Sequence, residues 1–542
     1  MKKYIIIVAT LFTAGISSCK KDYLSQEVNP NAPSVTTPQL TLAAALNTSA
    51  NIVASDYQGQ GVWAGYFTTS GNYVPNTVLN QFNLTTADLN GDWGSWYGNL
   101  TNYNLLQNIA AKDPSLANFQ AIAIIMKAYG FQHLVDEYND VPYSQAFQSA
   151  TNLFPAYDKG QAIYEDLGKQ LDNAIKIIQS ASGAVSPGSS DIVFGGNMTG
   201  WLKFANSLKL RLAIRISSKF PSDALVTDLA STESIGYLDG NLDAEANPGY
   251  SDVSGKQNFF YSGFGVDANN NPGGNEVYYR APAFEVNTLQ SYNDPRVFSL
   301  FAPVSSDWPA VVIRGNTFGD PLAKANPLTS SIGPGLAQSS SQNSVLFSGA
   351  ESLFLQAEAV VQGYLPSGSA GLSTGNTANG AVAGTAQALY EGGVVASFIA
   401  SQAGGTYAPV PDDGTGNPAT ATQTPTTPNF VWTPPTAATS AALAQTYLQQ
   451  AVPNVGWAAS VPLTAIYTQK WIALTGLFPF EAWNEQRRTG IPAIPTSVDP
   501  NKVNPIPPYR VLYPTSELTT NATNLGKEGT INVFSSKIFW AK

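Results

Sequence analysis

The chain is 542 residues long with a net charge of −10, one cysteine and one histidine. A single cysteine excludes an internal disulfide, a single histidine excludes zinc sites built on several histidines or cysteines, and the acidic balance argues against nucleic acid as a partner. Charged residues make up 12% of the chain, against about 25% in an ordinary soluble protein; Asn, Gln, Ser, Thr, Gly and aromatics stand in their place, which suits a neutral, hydroxyl-rich ligand such as a sugar.

In chain order, Lys2 and Lys3 precede an apolar run from Tyr4 to Ala14, and Ile16-Ser17-Ser18-Cys19 closes it. That is the layout of a secretory signal, too short to span a membrane. Small residues before a lone cysteine look like a bacterial lipobox. Residues 1–18 are therefore read as a lipoprotein signal peptide and Cys19 as the lipidated N-terminus; an ordinary signal with an incidental cysteine is the competing reading. Loss of Lys2 and Lys3 would take the net charge from −10 to −12. Residues 19–38 carry Pro30, Pro33 and Pro38 and read as a tether. The rest, 39–542, reads as a single domain.

Trp96 and Tyr97 are expected to begin a helix reaching Gln107 and to pack inward. From Ser115 to Asn139, Phe119, Ile122, Met126 and Tyr129 recur at helical spacing and share one face. Further helices are expected over Tyr157–Ser180, Trp201–Ser217, Val345–Gln362, Ala381–Ser401, Ala441–Val452 and Leu463–Leu474. In the second of these, Lys203, Lys209, Arg211 and Arg215 are available for pairing. The stretches about 218–343 and 404–439 are rich in Gly, Asn, Pro, Ser and Thr and read as loop-rich insertions with a few short strands. The fold class is mostly α with an irregular, loop-rich half; no fixed repeat period is visible.

No chemistry-bearing constellation stands out. His133 lies beside Asp136 and Glu137, but no motif places a nucleophile near it, so it reads as structural. No pair of carboxylates is singled out for glycoside hydrolysis. The run from Asp267 to Pro272 alternates oxygen ligands, but Pro272 replaces the glycine that a calcium loop needs. The expectation is no catalytic residue, no metal and no cofactor. Aromatics in loop-like surroundings are the candidates for ligand contact, since sugar rings stack on aromatic faces while amides meet the hydroxyls: Trp63, Tyr66, Tyr73, Tyr278, Tyr279 and Trp308. Core packing is the competing reading for each of them.

Several strings, taken in order, go further. They are Asn29-Pro30-Asn31-Ala32-Pro33, Phe131-Gln132-His133-Leu134-Val135-Asp136-Glu137-Tyr138, Trp201-Leu202-Lys203-Phe204-Ala205-Asn206-Ser207-Leu208-Lys209-Leu210-Arg211, Asp294-Pro295-Arg296, Gln469-Lys470-Trp471, Glu481-Ala482-Trp483-Asn484-Glu485-Gln486-Arg487-Arg488-Thr489-Gly490 and Arg510-Val511-Leu512-Tyr513-Pro514. Together with the lipobox they resemble the SusD/RagB family of outer-membrane nutrient-binding lipoproteins of Bacteroidetes, in its SusD-like 2 branch. The resemblance implies tetratricopeptide-like helix pairs packed on an irregular half. It also implies a partner, a SusC-like TonB-dependent transporter, for which the chain is a ligand-binding lid that does not act as an enzyme. The ligand is expected to be an oligosaccharide; a peptide or another organic nutrient is the alternative, and a membrane-anchored glycan-degrading enzyme is a rival from another class. The expected location is the outer membrane, anchored by lipid and exposed at the cell surface. Family ligand contacts vary, so no site residue follows from the motifs. The matching strings read as scaffold, with Arg487 and Arg488 near Glu481 and Glu485 as ion pairs and Arg296 as a buried guanidinium serving local acceptors.

Overall fold

Thr37 and Pro38 set the first helix among the described residues. The Thr37 hydroxyl accepts from the Leu40 amide and Pro38 occupies the first helical turn, where its missing N–H costs nothing. The computed structural model describes residues 36–55, 59–148, 151–409 and 430–542; Cys19, most of the tether and part of the 404–439 insertion lie outside the described residues. Ten helices of eleven residues or more are described: α1 (Pro38–Val53), α2 (Gly91–Ala110), α3 (Ala117–Tyr138), α4 (Gly160–Ser180), α5 (Met198–Ser217), α6 (Gly349–Val361), α7 (Ala386–Ala400), α8 (Ala437–Leu448), α9 (Pro462–Ala473) and α10 (Pro479–Thr489). Neighbours in sequence pack on one another, α1 to α5 in one run and α6 to α8 in another, with α9 against α6 and α7. Strands are few and short: β1 (Thr68–Thr69), β2 (Ala244–Ala246), β3 (Tyr279–Arg280), β4 (Ser344–Phe347), β5 (Thr406–Pro409) and β6 (Phe430–Thr433). They pair antiparallel as β1–β3, β2–β4 and β5–β6. The mostly helical class with a loop-rich half is as the sequence leads one to expect.

Several helix starts differ from expectation by three to five residues, among them Gly91 for Trp96, Gly160 for Tyr157, Met198 for Trp201 and Ala437 for Ala441, and two more have a clear local cause. The segment from Val345 is strand β4 up to Phe347, and helix α6 begins after Ser348, whose hydroxyl accepts from the Glu351 amide. The apolar run continues through both, so periodicity alone merges them. Helix α7 begins at Ala386 instead of Ala381, because Gly384 sits at φ +70 and Thr385 caps the helix. Close approach of α6 and α7 requires Gly393: a Cβ there would meet the Phe354 ring at 2.8 Å.

A buried charge hub joins the two helical runs. Arg211 on α5 donates from Nε and Nη2 to Glu351 on α6, at 2.9 and 2.7 Å. Arg215, one turn on, is held between Asp136 of α3 and Glu481 of α10. Arg488 is bonded to Glu358 at 2.7 and 2.8 Å and to Glu485 at 2.6 Å, and Lys470 of α9 lies 3.3 Å from Glu485. The indole N–H of Trp540, itself fully buried, donates to Asp136 at 2.8 Å. Each charge here is desolvated, so each needs its partners. Arg487 departs from the pairing read in the sequence: it stacks 3.5 Å over Trp483 and donates to the Tyr509 carbonyl at 2.6 Å. His133 is buried in a stack, parallel to Phe480 with centroids 4.8 Å apart, and its Nδ1 lies 3.1 Å from the Tyr129 carbonyl.

Candidate functional site

The short β1–β3 ladder brings two distant loops together. Thr68 pairs with Arg280 and Thr69 with Tyr279, so the residues leaving β1 run beside those entering β3. The Ser70 amide donates to the Tyr278 carbonyl at 2.8 Å. Tyr73 and Tyr278 then meet edge to face with centroids 5.0 Å apart. Tyr73 is 43% exposed and Tyr278 half-buried. The Asn76 amide donates to the Tyr278 hydroxyl at 3.3 Å, which orients the ring from behind.

An amide and hydroxyl network supports this pair. The Asn326 amide N–H donates to Asn72 Oδ1 at 2.9 Å and its side chain donates to the Val277 carbonyl at 3.0 Å. Arg280 Nε donates to Asn326 Oδ1 at 3.0 Å, and the Ser70 hydroxyl joins the same oxygen. Gly71 lets the strand pass: a Cβ there would sit 1.8 Å from the Ala323 carbonyl oxygen. At the edge, Val74 is 86% and Leu322 85% exposed. An aromatic pair fixed by asparagines and flanked by exposed apolar residues can stack a ring and leave the Asn72 side-chain N–H groups for its hydroxyls. The Glu276 carboxylate beside this network is turned to Arg280, 3.5 Å away. No cluster of three His, Cys, Asp or Glu residues is present among the described residues, and the Asp267 carboxylate is taken by the Asn269 and Asn271 amides of its own turn.

The other predicted aromatics are distributed differently. Trp63 is buried, its indole N–H donating to the Leu79 carbonyl at 3.2 Å and its ring against Trp483. Tyr66 is buried and stacks on Trp471, whose carbonyl accepts its hydroxyl. Tyr279 is buried against Phe67 and Phe264. These three face the core and present no open ring, because α9 and α10 and the Phe264 segment cover them. Trp308 is half-buried beside the turn Ser305–Asp307, which packs on the turn Asn326–Leu328 next to the asparagine network. Thus Tyr73 and Tyr278 come together, Trp308 stands one turn away, and Asn72, Asn76 and Asn326 complete the arrangement although sequence reasoning did not single them out. Their only signal is local abundance of asparagine beside aromatics.

The family model described as "SusD-like: Susd and RagB outer membrane lipoprotein" matches residues 34–540. No curated protein matches the sequence. Among solved structures, a SusD homolog from Bacteroides uniformis is 24% identical with a TM-score of 0.65, covering 93% of this chain and 99% of its own. A chitin-binding SusD homolog from Flavobacterium johnsoniae is 23% identical with a TM-score of 0.64, covering 92% and 98%. A structure described as a chitin-binding protein is 23% identical with a TM-score of 0.70, covering 93% and 100%. With a match over almost the whole chain and a fold shared end to end, this chain belongs to the SusD/RagB family of outer-membrane lipoproteins.

Proposed function

We propose that this chain captures an oligosaccharide at the cell surface on the Tyr73–Tyr278 platform and passes it, unaltered, to a SusC-like TonB-dependent transporter that it covers as a lid. The carrying observation is the exposed edge-to-face tyrosine pair backed by Asn72, Asn76 and Asn326. Aromatic faces take the C–H faces of a sugar ring and amides take its hydroxyls, whereas bond cleavage would need a poised acid and base, which the platform does not supply. Trp308 is assigned to the rim of the same site. Exposed Val74 and Leu322 suit the contact with the transporter, since apolar side chains left in water beside a binding site mark a covered surface. Two structural relatives are described as chitin-binding, which supports a glycan as the first class to assay.

Titration calorimetry with a panel of neutral oligosaccharides tests the reading. Binding is expected, and Tyr278→Ala or Tyr73→Ala should weaken it about ten-fold or more, equivalent to about 1.4 kcal/mol, with the melting temperature little changed. Silence across glycans with a response to peptides would transfer the site to another nutrient. Sugar release by the purified chain would overturn the non-enzymatic reading.

A further inference from the structure

A second hollow shares no lining residue with the Tyr73–Tyr278 platform. It lies between α2 and the loop after α3, as one cavity of about 650 Å³ walled by Trp93 and Tyr97 and a smaller one of about 220 Å³ lined by Lys127 and Gln170. The two meet at Asn104, Ala146 and Phe147. Tyr97, expected to pack inward, is only half-buried; its hydroxyl donates to the Pro142 carbonyl at 2.6 Å and holds the ring upright in the wall. Phe147 has φ +62, a region sparsely used by bulky residues, and its ring lies 6.4 Å from Tyr97 and 5.7 Å from the Lys127 ammonium. Unusual backbone of this kind clusters at ligand clamps.

Lys127 is the odd member of the set. The buried lysines Lys209 and Lys470 each have a carboxylate, at 2.7 and 3.3 Å. Lys127 has none within ion-pair reach among the described residues and instead donates to Asn104 Oδ1 and Gln107 Oε1, both at 2.9 Å. An ammonium has three donors, so one is left for a ligand. Burial lowers its pKa to about 8, which still leaves it mostly charged at neutral pH. The polar groups nearby limit the charge of a suitable anion. Asp166 accepts from the Tyr143 hydroxyl at 2.5 Å, and Asp158 accepts from the Ser144 amide and hydroxyl. Glu517 lines the larger cavity and accepts from the Tyr157 hydroxyl at 2.6 Å. Three carboxylates in and behind the walls around a single ammonium disfavour a dianion such as phosphate and confine a monoanion to the Lys127 end. Asn108 and the Asn104 Nδ2 donor have no hydrogen-bond partner among the described residues, and amides of this kind suit hydroxyls.

We propose that this hollow is a second saccharide site, for a hexuronic acid residue whose carboxylate meets Lys127 and whose ring lies against Phe147 and Tyr97. Lys127, Asn104 and Asn108 select the ligand, and Trp93 closes the far wall. The site acts independently of the tyrosine platform.

Calorimetry on the full-length chain with galacturonate and glucuronate oligomers, each paired with its carboxyl-reduced neutral counterpart, tests the proposal. At least one uronate oligomer should bind, its neutral counterpart at least about ten-fold more weakly, and Lys127→Met should weaken the uronate by about ten-fold or more, the range of a charge-assisted hydrogen bond. Asn108→Glu, at an exposed position, should repel the uronate with the fold intact and serves where Lys127→Met perturbs folding. Tyr278→Ala should leave uronate binding unchanged, so failure here is distinct from failure of the first site. Absence of uronate binding, equal affinity for acid and neutral sugars, or indifference to Asn108→Glu would each overturn the proposal.

Discussion

Glu285 is fully buried. Its Oε1 accepts the Thr475 hydroxyl proton at 2.5 Å, and its Oε2 has no hydrogen-bond partner. Burial pushes its carboxyl up to about 8, from 4.5. The folded protein therefore holds a proton that the unfolded chain has released, and stability falls as pH rises from about 4.5 to about 8, by up to about 1.4 kcal/mol per pH unit. Burial in the aromatic stack pulls His133 down to about 4, from 6.5, so that residue acts oppositely: its contribution is lost as pH falls from 6.5 toward 4. Between 4.5 and 6.5 the two offset, and between 6.5 and 8 Glu285 acts alone of the pair. Urea unfolding at pH 6.5 and pH 8 should show Glu285→Gln less sensitive to pH than the parent; an equal decline in both would refute the assignment. The chemistry of neither residue is legible in sequence, since Glu285 lies in an ordinary apolar run and its hydrogen-bond partner Thr475 stands far along the chain. His133 as a structural residue was legible, because no nucleophile accompanied it.

At the scale of elements, the helices that could be read were those whose apolar spacing is local. Phe119, Ile122, Met126 and Tyr129 mark α3, and all four are buried. Boundaries set by a single cap, such as Ser348 between β4 and α6, were not legible because the hydrophobic run passes through them. Trp63 and Tyr66 misled for the same kind of reason: glycines and threonines around them look like a loop, while Trp471 and Trp483, which cover them, arrive some four hundred residues later. The hub joining α3, α5, α6, α9 and α10 should be the most mutation-sensitive junction. Asp136→Ala takes from Arg215 one of the two carboxylates that hold it, leaving Glu481, and removes the acceptor of Trp540; it should cost about 3 kcal/mol in chemical unfolding, the range for deleting one partner of a buried ion pair. Arg314→Ala, which breaks a part-exposed pair with Asp307 at 2.7 Å, should cost about 1 kcal/mol or less. Equal losses would mean that the hub contributes only as surface pairs do.

For the whole molecule, the proposed anchor is Cys19 and the proposed ligand contact is made by the aromatic loops. The Cys19→Ala chain should fold and bind sugar as the parent does but partition into the soluble fraction instead of the membrane, as immunoblots of fractionated cells would read; a lid tied by acyl chains then loses uptake with affinity unchanged. Family membership was legible because short strings recur in order from end to end. Most of the site was not, because Tyr73 and Tyr278 become neighbours only through a two-residue ladder between segments about two hundred residues apart. Asp136 and Trp540, separated by 404 positions, carry a different consequence. Asp136 of α3 lacks one of its partners until residue 540 has been made and delivered. The domain therefore cannot ratchet shut segment by segment during synthesis. Its wiring imposes a delay, since the last residues to be made complete contacts that the early helices leave unfinished.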